Sequence, residues 1–284
     1  MASKLEGDGR IQLESLLHGE SLQAREVMAR TETPHEFSIL PEVVMVGLGG
    51  KSIFDRGRAG LLPIVEQLAA ARNEHQLIAG VGGGARVRHT IALALDLGIP
   101  PGGIAQLVES METVNALLLN VLLANEGFII MNREHFWHLP LYLGTGLMPI
   151  VISSPPYRFW EPPPRRGRVP EHGFDFGLLM HADVLGMRKV IYVKDQDGLY
   201  DRDPALHDDA RLIPETTLEE LLENLPEELI LDREVFTAWQ TSRHVETLQI
   251  INGLIPGELT RALAGEPVGT VITRASGTGG DDDA

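Results

Sequence analysis

The chain has 284 residues, 43% of them hydrophobic and 23% charged, enough for one large domain or two small ones with a sizeable buried core. Its formal net charge is -16, from 40 acidic against 24 basic residues, so the long-range field disfavours a nucleic-acid or anionic-membrane partner and any anionic ligand must be held by local donors. Zero cysteines exclude disulfides, thiolate zinc sites and cysteine nucleophiles, which fits a reducing, cytoplasmic setting.

The opening MASKLEGDGR lacks the apolar core of a signal peptide, and no apolar run reaches the roughly 18 residues of a spanning helix. From Arg10 to Arg30 apolar residues recur at helical spacing, predicting a helix in an extension over 1–38. The β-rich run at 43–49 then opens an alternation of strand and helix. A helix is expected over about 56–72, a strand at 76–82, and helices near 85–97 and 103–125. Short apolar strands follow at 128–131 and 148–153.

The stretch 155–170 holds six prolines and three aromatic residues, so it interrupts the sheet as an ordered excursion. Beyond it the pattern predicts a helix at 174–186, a strand at 189–195, a polar loop, helices within 217–243, and a closing strand, helix and strand over 248–273. This is an α/β layer protein with a mainly parallel central sheet. Two lobes sharing one sheet are expected, an N-terminal one at 39–170 and a C-terminal one at 171–274. The glycine- and aspartate-rich 275–284 reads as a disordered acidic tail.

Three strand ends carry chemistry. Gly47-Leu48-Gly49-Gly50-Lys51-Ser52 resembles the end of a P-loop, but Met45 stands where that motif requires glycine, so the wide phosphate-wrapping loop cannot form; a tight packing turn and an anion cradle remain equally open. Gly80-Val81-Gly82-Gly83-Gly84-Ala85 opens a helix bearing Arg86, Arg88 and His89, and free N–H groups at a helix start favour an anion. It fits G-x-G-x-x-A, yet no strand ending in an acidic residue follows, so an oxyanion site is favoured over a dinucleotide, with a packing turn as the bland reading. The third is Lys194-Asp195-Gln196-Asp197-Gly198-Leu199-Tyr200-Asp201-Arg202-Asp203-Pro204. Alone it reads as a solvated acidic turn, but ligands of α/β sheets collect at the carboxyl ends of strands, so three such ends predict one crevice.

Together the strand-end glycine pair, the Gly-Gly-Gly loop with basic residues, an aspartate on the helix after the insertion, and K-D-x-D-G-L-Y-x-x-D-P resemble the amino acid kinase family, in particular its uridylate kinase branch. The stretches SPPYRFW, VKDQDGLY and INGLIPGELTRALAGEPVGTVIT look like its molybdenum- and tungsten-storing members, and the likeness spans about Ile39 to Thr273. It implies a three-layer α/β/α subunit that binds ATP with Mg2+. For the storage members it further implies a hexameric cage, built of copies or homologous subunits, that holds molybdate or tungstate as polynuclear oxide clusters.

Carried over residue by residue, the resemblance implies a nucleotide site at Gly49, Gly50, Lys194, Asp197, Gly198, Tyr200, Asp203 and Pro204. An anion pocket is implied at Gly82, Gly83, Gly84, Arg86 and Arg88, with His89 as a further contact. Asp175 matches the acidic member of the family's Thr-Asp pair, with Phe174 in place of the threonine; Lys51 and Asp175 are the candidate catalytic groups. Glu109 and Glu112 on one predicted helix, with Arg133, His135 and His138 nearby in sequence, form a candidate metal or anion site, against the blander reading of an interface histidine pair.

Where the family usually has a first-loop lysine, this chain has Gly47. Losing one preorganised donor at a phosphoryl group costs about 100- to 1000-fold in rate. The expected function is therefore a storage-type, ATP-binding subunit. The alternatives are a uridylate kinase-like phosphotransferase and a catalytically silent structural subunit.

Overall fold

The structure, a computed structural model, describes residues 4–5, 11–12, 38–152, 167, 169 and 173–274. The chain divides into two units, 1–37 and 38–284. In the first, β1 (Lys4–Leu5) pairs antiparallel with β2 (Ile11–Gln12). Ile11 and Gln12 are thus extended, not helical as their spacing predicts, because strand pairing is a contact between separate segments that a local periodicity does not register. The rest of that predicted helix, and the acidic tail, lie outside the described residues.

The second unit is built on an eight-stranded sheet of order β10-β12-β11-β7-β3-β4-β6-β5. Its strands are β3 (Val44–Leu48), β4 (Leu77–Val81), β5 (Phe128–Met131), β6 (Met148–Ile152), β7 (Lys189–Lys194), β10 (Glu215–Thr217), β11 (Thr247–Asn252) and β12 (Thr270–Thr273). All neighbours are parallel except β11 and β12. Buried on both faces, the central strands read as continuous apolar runs, and alternate residues feed two separate cores. Met45, Ile78, Val190 and Tyr192 join one; Val46, Leu48, Ala79, Ile191 and Val193 join the other.

The first core is covered by α4 (Leu139–Gly144), α5 (Phe174–Val184), α6 (Leu218–Glu223) and α7 (Arg233–Trp239). The second is covered by α1 (Arg58–Ala71), α3 (Pro101–Leu123) and α8 (Glu258–Leu263), with α2 (Ala85–Asp96) packed on α3. This is the three-layer α/β/α sandwich that the sequence predicts. Helix α6 starts on a capping box in which Thr217 and Glu220 satisfy each other's backbone N–H.

Two features escape the sequence pattern. Leu199–Tyr200 (β8) and Leu212–Ile213 (β9) make a short antiparallel pair inside the expected polar loop. Helix α4 is too short for its periodicity to be read. The helix expected near 103–125 is the run Pro101–Glu126, 26 residues whose most apolar 18-residue stretch has mean hydropathy 1.4, long and apolar enough to cross a membrane by length and composition alone. It is not an unbroken apolar run, since Gln106, Glu109, Glu112, Asn115 and Asn120 interrupt it. Ile104, Ala116, Leu119 and Leu123 on this helix are buried in the protein core. The proline-rich excursion lies outside the described residues, apart from Gly167 and Val169.

Candidate functional site

The chain leaves β3 for β4 on one side and later returns to β7 on the other. This reversal of direction opens a crevice at the carboxyl ends of β3, β4 and β7. The loops continue the sheet ladder for one more step: Gly49 N–H donates to Val193 O at 3.1 Å, and Gly82 N–H to Leu48 O at 3.0 Å. The two glycine loops then touch backbone to backbone. A Cβ at Gly50 would stand 2.1 Å from Gly84 N and 2.7 Å from Gly82 C, so only glycine fits there.

Between the loops and α5 lies a cleft of about 600 Å³, within the roughly 300–1,000 Å³ usual for small-molecule sites. One wall is Gly49–Ser52 with Gly82–Gly84 and Arg88; the floor is Asp175, Lys194 and Asp195; Leu229–Asp232 close the far side, and Val169 reaches the rim. The N–H groups of Gly50, Lys51, Gly83 and Gly84 donate to no backbone carbonyl among the described residues, which leaves them available to a ligand.

Lys194 is buried, and its Nζ donates to Asp175 Oδ1 at 2.7 Å and Oδ2 at 2.8 Å. Asp175 sits in the first turn of α5, where the helix dipole also favours a carboxylate. Tyr192 Oη donates to the Asp175 carbonyl at 2.9 Å, and burial together with the charges of Asp175 and Asp232 drives its phenol well above its ordinary value. Asp195 is pushed up by burial, but hydrogen bonds from Arg56, at 2.6 Å, and Ser52, with the Arg56 charge, outweigh this and hold it below the usual carboxylate range.

Asp232 is the residue the sequence does not single out. It precedes α7 and reads as an ordinary N-cap, yet it lines the cleft and its Oδ2 is buried without a hydrogen-bond partner. Burial and the nearby Asp175 carboxylate raise it to about 6, against the opposing pull of Lys194 and a hydrogen bond from the Phe176 backbone. No local pattern ties Asp232 to a residue 57 positions earlier; only the packing of α7 beside α5 does.

Gly47 is enclosed. A Cβ there would stand 2.2 Å from Leu178 Cδ1, 3.4 Å from the Phe174 ring and 3.5 Å from Tyr192. The volume beside the strand is therefore occupied by α5 side chains. The Lys194 ammonium lies 5.7 Å from the centre of the Phe174 ring.

Of the other sequence candidates, Lys51 lines the cleft and is exposed. Tyr200, Asp203 and Pro204 line a second cavity of about 80 Å³, which shares Gln196, Leu229 and Ile230 with the first. Asp197 accepts from Asn252 Nδ2 at 2.7 Å and hydrogen-bonds Tyr200, whose phenol is raised by burial and by that carboxylate. Gly198 lies against Thr270, whose Oγ1 accepts the next N–H, of Leu199, at 2.7 Å.

The basic residues after the second glycine loop divide. Arg88 lines the cleft, whereas Arg86 turns to Asn115, which in turn donates to Gly82 O at 2.5 Å, and His89 is exposed away from the lining. Arg86 is thus engaged in bracing the loop. Glu112 lies at the cleft, Glu109 sits partly buried one turn earlier on α3, and Arg133 opens the 3-10 turn Arg133–His138 after β5. In that turn His135 and His138 are exposed, with ring centres 5.9 Å apart. Among the described residues, no group of three or more His, Asp or Glu is assembled that could hold a metal ion.

The sequence profile of the amino acid kinase family matches residues 164–245. The molybdenum storage protein subunit beta of Azotobacter vinelandii is 38% identical over 262 residues, which cover 92% of this chain and 97% of that protein. A uridylate kinase of Methanothermobacter thermautotrophicus is 30% identical, covering 72% of this chain and 87% of its own length. Among solved structures, the UMP kinase of Bacillus anthracis superposes with a TM-score of 0.66 at 17% identity, covering 83% of this chain and 98% of that one. The uridylate kinase of Archaeoglobus fulgidus gives 0.65 at 20%, covering 81% and 99%. These two likenesses carry the fold.

Proposed function

The chain belongs to the amino acid kinase family, and we propose that it is a storage-type subunit that binds Mg-ATP in the cleft and takes molybdate or tungstate into oxide clusters within an oligomer. The observation that carries this reading is the 38% identity to a molybdenum storage subunit along 97% of that protein's length.

The cleft suits a nucleotide on its own chemistry. Unengaged N–H groups of the first glycine loop, at Gly50 and Lys51, and the cations of Lys51 and Lys194 meet phosphate oxygens. Asp197, Gly198, Tyr200, Asp203 and Pro204, around the smaller cavity, take the nucleoside end, with Gly49 and Gly50 beneath the phosphates. Mg2+ accompanies nucleotides through one or two carboxylates plus phosphate oxygens, and Asp195, kept ionised by Arg56, supplies such an oxygen on the cleft wall. Bound there, the metal neutralises phosphate charge; Lys194 and Asp175 fix the floor against which the phosphates lie.

Oligomerisation is supported by α3. Val114, Leu117, Leu118, Val121 and Leu122 form one exposed stripe at helical spacing, and no charged residue occurs from Thr113 to Asn125. In a chain of net charge -16, a neutral apolar strip is where a like-charged copy or a homologous subunit meets least repulsion.

A uridylate kinase-like reading draws on the 30% identity to the Methanothermobacter enzyme. Against it, Leu178 and Phe174 fill the space beside Gly47 in which a first-loop side chain would lie. Native mass measurement with elemental analysis, after expression with molybdate and separately with tungstate, tests the storage reading. Bound metal and nucleotide in a multi-subunit particle are expected. A particle with neither sinks it, and steady turnover of UMP with ATP would install the kinase reading instead. Nucleotide bound without metal or hydrolysis would identify a silent structural subunit.

A further inference from the structure

The first turn of α2 carries Arg86 and Arg88 and no acidic residue, which sets cations against the positive end of the helix. The compensating charge arrives from another element. Asp55, in the 3-10 turn Phe54–Arg56, accepts the Ala85 N–H on Oδ2 at 2.6 Å. Its carboxylate atoms stand 2.6–2.9 Å from where a Cβ at Gly84 would lie, and Gly84, at φ 72°, has no side chain with which to cap the helix itself.

Asp55 is also fastened from behind. Its N–H donates to Gly50 O at 2.9 Å, and the adjacent Arg56 donates to Asp195 Oδ2 at 2.6 Å on the opposite side of the crevice. The turn after the first glycine loop thus plugs the second glycine loop with one side chain and ties itself to the end of β7 with the next. A carboxylate already seated on the helix-start donor both removes that donor and repels a second anion.

We propose that Asp55 is a specificity-determining residue: it stands outside the lining of the cleft, but as a resident anion on the Ala85 donor it sets its charge against phosphates and oxoanions at the α2 end and confines them to the end formed by Gly50, Lys51 and Lys194. This rests on the cleft being the ligand site, and it reassigns the anion pocket that the Gly82–Arg88 sequence suggests.

The test uses the full chain titrated calorimetrically with inorganic phosphate and with tungstate, comparing wild type, Asp55→Asn and Asp55→Ala. Asparagine keeps an acceptor for the Ala85 N–H and removes only the charge, so it separates exclusion from mere capping. Both variants are expected to bind phosphate about fivefold tighter than wild type or better, and the gain should shrink at high salt. Unchanged or weaker phosphate affinity in Asp55→Asn, with a native circular dichroism spectrum, overturns the proposal. If Asp55→Ala fails to fold, Asp55→Asn alone decides. ATP titration of the wild type is read separately: absence of ATP binding there would count against the nucleotide reading, whatever the phosphate result.

Discussion

Lys194 and Asp175 meet through one ammonium and both carboxylate oxygens, at 2.7 and 2.8 Å, with 7% and 5% of their surfaces exposed. The pair joins the end of β7 to the start of α5 across the cleft floor. Taking two charges out of water is repaid only while both are present. Lys194→Met, which strands the Asp175 carboxylate, is expected to destabilise the chain by about 3–5 kcal/mol in urea unfolding. Adding Asp175→Asn to it should recover part of that loss. A double variant no more stable than Lys194→Met would show that the two charges are not coupled.

Gly47 has no room for a longer residue, because Leu178 Cδ1 lies 2.2 Å from its Cβ position. Gly47→Lys is expected to lower stability by about 1–3 kcal/mol through overpacking, seen as a reduced melting temperature, and to add no phosphotransfer. Combining it with Leu178→Ala should relieve the strain. A Gly47→Lys protein as stable as wild type would mean that α5 yields readily.

Asp232 holds its proton more tightly folded than unfolded, with a value of about 6 against 3.8. The folded state therefore binds the extra proton between those values, and stability contributed by this group falls as pH rises from about 4 to about 6. The loss is about 3 kcal/mol. The Asp232 side chain makes no cap bond to α7 that asparagine would lose, so Asp232→Asn should flatten that part of the stability profile and be more stable than wild type at pH 7. Parallel profiles for the two proteins would refute this.

On α3, Val121 is 73% exposed within the apolar stripe. Val121→Glu should leave the fold of the single chain intact, since surface substitutions cost little. It should bring the native mass down towards the 31.1 kDa of one chain. An assembly that survives this change and a second one at Leu118 would place the subunit contact elsewhere.

The order of strands and helices was legible because buried parallel strands are continuous apolar runs and the helices between them are long enough to show their period. The three glycine- or aspartate-rich loops were legible as the rim of one crevice because parallel strands end on the same edge. Gly47 could likewise be read from the sequence, as the absence of a family lysine.

What the sequence by itself determined, then, is the layered α/β frame, from periodicity, the edge of the sheet where the three loops gather, from residue types at strand ends, and the family, from the resemblance of its motifs. Only the tertiary structure decided how the charges are shared. Lys194 answers Asp175 on another element, Arg86 is spent on Asn115, Asp55 rather than a ligand occupies the start of α2, and Asp232 joins the floor with one oxygen unpaired. Each of these pairings spans from 19 to 57 residues of chain, and electrostatic partnership depends on distance through space and on burial, neither of which a local sequence pattern encodes.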